Sequence, residues 1–229
     1  MPFLSPTVQA MIRVQEFTGM RPGELLIMRS CDLDTTGKVW VYKPESHKTD
    51  HLDHDRQIYI GSRAQHHLSP FLGTDLDAYI FSPRRAQEER CAPKPNHRRQ
   101  PNLHRKTQRK VLTRYTPCSY RRAISYACDQ AFPAPAPLCR LVDDDGKLES
   151  PKAWEQRLKK NNLVGELKKW QKEHRWHPHQ LRHNAATYLR KQFGLEAARV
   201  VLGHRSAAVT EIYAEMDKMK AAEIMEKAG

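Results

Sequence analysis

The chain has 229 residues, with 39 lysines and arginines against 26 aspartates and glutamates, a formal charge of +13 at pH 7 that favours a polyanionic partner, nucleic acid first. Its length supports a core that folds without metals or covalent staples. Its five cysteines are odd in number and include no C-x-x-C pair, so they suggest neither a disulfide framework nor a zinc ribbon. The N-terminus lacks a signal-peptide pattern and no run approaches the roughly 20 apolar residues of a membrane span, so a soluble, cytoplasmic protein is expected.

From Thr7 to Phe17 the apolar positions Val8, Met11, Ile12, Val14 and Phe17 recur at helical spacing, with Gly19 as the stop signal. Pro22 at a first turn followed by Glu24-Leu25-Leu26-Ile27-Met28 predicts a second, short helix that places Arg21 at its start. Lys38–Tyr42 and Arg56–Ile60 are rich in β-branched and aromatic residues and predict strands of a small antiparallel sheet, joined by a polar stretch containing His47-Lys48-Thr49. Ser62 to Leu68 predicts another helix, and Ala78 to Phe81 a short buried segment.

Residues 83–115 are dominated by proline, arginine, lysine and asparagine and read as an insertion or long loop. Its cations Arg98, Arg99, Arg105, Lys106, Arg109 and Lys110 belong either to a solvated disordered loop or to a DNA-contacting arm that orders on the duplex, and the two readings are compatible. A helix fits Ser119 to Ala131, and a Pro/Asp-rich loop follows at about 132–150. Beyond Pro151 the chain reads as helical almost to its end, with breaks near Trp176-His177-Pro178, Gly194 and Gly203.

Chemistry-bearing residues concentrate in His177-Pro178-His179-Gln180-Leu181-Arg182-His183, then Leu202-Gly203-His204-Arg205-Ser206, then Thr210-Glu211-Ile212-Tyr213. On a helix starting after Pro178, His179 and Arg182 are neighbours, placing a titratable imidazole beside a permanent cation. The histidine-rich stretches carry no cysteine or carboxylate pattern at zinc spacing, so no metal site is expected.

The ordered set H-x-L-R-H, L-G-H-x-S and T-x-x-Y resembles the C-terminal half of tyrosine recombinases of the phage integrase family. Thr18-Gly19-Met20-Arg21-Pro22-Gly23-Glu24-Leu25 resembles the family's first arginine motif, T-G-x-R-x-x-E-L, and His47-Lys48-Thr49 its strand-loop lysine. Any single motif would be weak; their order along the chain, from about residue 7 to 217 with an interruption at 83–150, is specific.

The resemblance implies an α+β, mainly helical catalytic domain over residues 1–229, with a small antiparallel sheet of about three strands and no N-terminal core-binding domain on this chain. It implies that Tyr213 is a nucleophile forming a 3′-phosphotyrosyl link to double-stranded DNA, without metal, ATP or other cofactor. Arg21, Arg182 and His204 would then stabilise the transition state, with Lys48 as general acid and His179 as general base. Glu24, three residues beyond Arg21, would hold an active-site side chain in position. The bacterial or phage-derived enzyme is expected to self-associate into a dimer or tetramer on DNA, with Met216 to Ala228 docking on a neighbour or packing in cis. Alternatives are DNA relaxation of the type IB topoisomerase kind and a non-catalytic DNA-binding protein on the same fold.

Overall fold

The computed structural model describes residues 2–45, 56–91, 111–142 and 146–203, with residues 88–91 in backbone only. The chain divides into two compact units: residues 1–4 with 118–177, and residues 5–117 with those from 178 onward.

The larger unit is organised around helix α1, Pro6–Thr18, which touches four helices and a strand. Its start is set by Ser5, whose Oγ accepts from the Val8 N–H, and by Pro6 in the first turn. It stops at Gly19, whose φ of 64° is the left-handed conformation that glycine adopts freely. Val8, Met11, Ile12 and Val14 are buried along it, as are Thr7 and Gln15.

The partners of α1 are α2 (Pro22–Leu26), α3 (Ser62–Leu68), α4 (Pro83–Cys91), α8 (Pro178–Phe193) and strand β3 (Ile58–Ile60). With β1 (Leu33–Asp34) and β2 (Trp40–Tyr42), β3 forms a three-stranded antiparallel sheet in the order β1-β2-β3. Tyr42 pairs with Leu33 on one side and Ile58 on the other, and Tyr42, Ile58 and Ile60 are fully buried, so one face of the sheet joins the core. The last helix among the described residues, α9 (Leu195–Leu202), packs on α8 and β3.

The helices expected at Thr7–Phe17, Ser62–Leu68 and Ser119–Ala131, the two strands, and the breaks at 176–178, 194 and 203 all occur. Two features differ from expectation. Residues 83–91 form a helix, because Ser82 Oγ accepts from the Arg84 N–H and Pro83 occupies the first turn, a start signal outweighed in the sequence by the polar run that follows. The long helical stretch after Pro151 is also broken at Asn162, whose φ of 56° turns the chain.

The smaller unit contains α5 (Pro117–Ala131), α6 (Pro151–Lys160) and α7 (Val164–His174). In α5 the buried residues Tyr120, Ile124 and Cys128 recur every fourth position. Leu138, Leu158 and Leu167 form a core with Trp154 and Trp170 against it. Arg157 anchors the proline-rich loop, donating to the carbonyls of Pro137 and Cys139 at 2.7 Å each and to Glu149 at 3.0 Å. No helix among the described residues is long and apolar enough to cross a membrane.

Candidate active site

Three chain ends converge in the larger unit: the turn between α1 and α2, the first turn of α8, and the C-terminus of α9. Gln15 ties the first two, its Nε2 donating to the carbonyls of Met20 at 3.3 Å and Pro178 at 3.0 Å. Arg182 ties all three. It is 8 % exposed, and its Nη1 donates to the Gly19 carbonyl and its Nη2 to the Leu202 carbonyl, each at 2.7 Å. A guanidinium carries five N–H groups, of which these carbonyls account for two.

Arg21 sits at the N-cap of α2 with extended backbone, two residues beyond Gly19. Its main-chain N–H donates to Glu24 Oε2 at 2.6 Å and its Nη1 to Glu24 Oε1 at 2.8 Å. The carboxylate thus satisfies the orphan amide at the start of α2 and fixes the side chain of Arg21.

Glu24 is 3 % exposed. Burial pushes its carboxyl up, but the Arg56 guanidinium, the Arg21 N–H and the Arg21 guanidinium outweigh burial and hold it below its ordinary value. Beneath it the Tyr42 hydroxyl donates to the Glu24 carbonyl at 2.8 Å. Burial raises the Tyr42 phenol far above its ordinary value, so the hydroxyl remains a donor.

Arg56, at the entry to β3, is the residue that sequence reasoning missed. It is buried, with Nε donating to Glu24 Oε1 at 3.3 Å and Nη1 to the carbonyls of Gln57 at 3.3 Å and Val201 at 3.4 Å. Its sequence signal was a basic residue opening a strand, which carries no hint of a carboxylate 32 positions away.

His179 lies exposed in the first turn of α8, one turn from the buried Arg182. Lys48, His204 and Tyr213 lie outside the described residues, as do Arg98, Arg99, Arg105, Lys106, Arg109 and Lys110. The described chain reaches Gly203, immediately before His204, with φ of 64° at the end of α9.

The smaller unit has a cleft of its own, of about 490 Å³, between α5 and α7. Arg121, Arg122, Lys168, Lys172, Arg175 and His177 line it, with no carboxylate in the lining. Lys168 and Lys172 are one turn apart on α7 and face the same way. Arg175 is held by a two-pronged pair with Asp129, both bonds at 2.7 Å.

Residues 147–220, which contain all three C-terminal motifs, match the phage integrase family. The tyrosine recombinase XerC of Alcanivorax borkumensis is 34 % identical over 89 residues, covering 38 % of this chain and 27 % of that protein. XerC of Shewanella oneidensis is 33 % identical over 78 residues, covering 32 % and 26 %. The chain therefore spans about a quarter of the length of these relatives. Among solved structures, XerH recombinase bound to difH substrate in a pre-cleavage complex aligns over 96 % of this chain and 46 % of its own, with a TM-score of 0.49 and 17 % identity. XerA recombinase aligns over 97 % and 62 %, with a TM-score of 0.49 and 18 % identity.

Over residues 147–220, the segment that carries these motifs, the chain is similar to the phage integrase family, and the matching relatives are tyrosine recombinases.

Proposed function

We propose that this chain is the catalytic part of a site-specific recombinase that cuts and rejoins double-stranded DNA through a 3′-phosphotyrosyl intermediate. The observation that supports the reading is the fastening of two arginines, half-buried Arg21 on buried Glu24 and buried Arg182 on the carbonyls of Gly19 and Leu202, where three element ends converge. Planar guanidinium forks match phosphate geometry, and holding them before the substrate arrives removes reorganisation from the chemical step.

In this reading the Tyr213 oxygen attacks the phosphorus and the bond to the 5′-oxygen breaks. The phenol, with an ordinary pKa near ~10, gives its proton to His179. The departing 5′-oxygen takes a proton from Lys48. Arg21, Arg182 and His204 donate to the non-bridging oxygens, where negative charge concentrates. The phosphotyrosyl ester keeps the energy of the broken phosphodiester, so a 5′-hydroxyl from another strand reseals the DNA without ATP. The +13 charge and the basic α5–α7 cleft support a DNA partner. Self-association through Met216 to Ala228, outside the described residues, belongs to the same proposal.

The test is incubation with a randomised library of nicked duplexes in EDTA and without ATP, followed by recovery of protein–DNA adducts that resist detergent and heat. The reading requires adducts in which DNA is attached by its 3′ end, and recombination between two copies of the recovered sequence. Relaxation of any supercoiled plasmid without such exchange favours a topoisomerase, and absence of adducts a non-catalytic DNA-binding protein.

A further inference from the structure

We propose that Arg56 is a positioning residue of the active site, clamping the end of α9, and with it the backbone of Gly203 that leads into His204, relative to Arg21. The proposal rests on the function proposed above for its catalytic consequence. The clamp itself rests on geometry alone.

The last carbonyls of a helix have no partner within it and form the negative end of its dipole. In α9 two of these carbonyls are taken by buried arginines from elsewhere in the chain: Val201 by Arg56 Nη1 at 3.4 Å and Leu202 by Arg182 Nη2 at 2.7 Å. Arg56 approaches from the side of the sheet, and its Nε is held by the carboxylate that also holds Arg21. Glu24 and Arg56 thus form a short rigid path from Arg21 to the residue before Leu202.

Two observations show how closely this path is fitted. A Cβ placed on Gly203 would collide with the Arg56 guanidinium, so the backbone just ahead of His204 lies directly on that side chain. Arg56 Nη2 is buried and has no hydrogen-bond partner among the described residues. A buried donor without a partner is costly, and a charge needed only to neutralise Glu24 could be supplied by a lysine that leaves none. The fork shape therefore serves the α9 end as well as the carboxylate.

The experiment compares wild type with Arg56→Met, Arg56→Lys and the neutral pair Glu24→Gln with Arg56→Met. Hydrogen exchange at the amides of Leu202 and Gly203 is measured without DNA. Single-turnover adduct formation is measured with saturating nicked duplex recovered from the library, beside the DNA Kd. Arg56→Met should speed exchange at these two amides by about tenfold or more relative to α1. It should also slow adduct formation by about 10²-fold, with Kd changed by less than about threefold.

The neutral pair should recover melting temperature relative to Arg56→Met and leave the rate low, because no fork holds α9. Arg56→Lys guards against a methionine variant that does not fold, and should remain folded with exchange still raised. Unchanged exchange at Leu202 and Gly203 overturns the clamp. Full recovery of rate in the neutral pair or in Arg56→Lys shows that Arg56 only balances Glu24 and overturns the positioning role. A wild type that forms no adduct, in samples where exchange responds as expected, overturns the proposed chemistry and leaves the clamp standing.

Discussion

Arg182 and Gly19, 163 residues apart in sequence, are joined by a 2.7 Å hydrogen bond from the arginine Nη1 to the glycine carbonyl. The bond links the second turn of α8 to the turn between α1 and α2, and the other terminal nitrogen of the same side chain reaches the end of α9. One buried side chain therefore fixes the three backbone ends that present Arg21, His179 and the turn before His204. Removing it has a structural cost and, in the proposed function, a chemical one.

Arg182→Lys should expose that double role. A lysine offers a point charge rather than a fork, and leaves at least one buried carbonyl unsatisfied, at about 1–3 kcal/mol. Melting temperature should fall and adduct formation should drop by on the order of 10²-fold or more. An unchanged melting temperature would show that the carbonyl bonds are dispensable.

Gly19→Ala should destabilise the larger unit by about 1–3 kcal/mol in chemical denaturation. Gly19 has φ of 64°, and a Cβ there would lie 2.6 Å from Leu202 Cδ2 and 3.1 Å from Ala185 Cβ. Combining it with Leu202→Ala relieves the closer clash, so the double variant should lose less than the sum of the single losses. Strict additivity would place the strain elsewhere.

The Glu24 carboxyl is held below its ordinary value in the folded chain, so the unfolded chain binds its proton at higher pH than the native one. Its contribution to stability is present above the unfolded carboxylate value and is lost as pH falls through the lower native value. Wild type should therefore lose stability progressively below about pH 5. Glu24→Gln should be less stable at neutral pH and show a flatter acid limb. A parallel acid limb in both proteins would assign the titration to other carboxylates.

Alanine at Arg121, Lys168 and Lys172 should weaken DNA binding without changing adduct formation at saturating DNA. A plot of log affinity against log salt should become shallower by about 0.9 for each phosphate that the variant no longer neutralises. An unchanged slope would show that the α5–α7 cleft faces no phosphates.

The sequence made local structure legible wherever start and stop signals coincide with periodicity. Ser5 and Pro6 open α1 and Gly19 closes it, and the strands at Trp40–Tyr42 and Ile58–Ile60 follow from β-branched and aromatic runs. Arg21 and Glu24 were legible as a pair because an N-cap residue and the residue three positions on share one turn. The turn at Asn162 was not, since asparagine adopts both helical and left-handed backbone and its φ of 56° is one of two conformations the residue type allows. Arg56 was hidden for a different reason. Its partners, Glu24 and Val201, lie 32 and 145 residues away, and such pairings arise from tertiary packing rather than from any local pattern.

In the proposed chemistry the Tyr213 oxygen becomes bonded to DNA. This is tested most directly by treating wild type and Tyr213→Phe with the nicked duplex library, resolving adducts under denaturing conditions and mapping the modified peptide. An adduct is expected on the Tyr213 peptide of wild type and none with Tyr213→Phe, while both bind the duplex with the same Kd. An equal yield of adduct from Tyr213→Phe would contradict it.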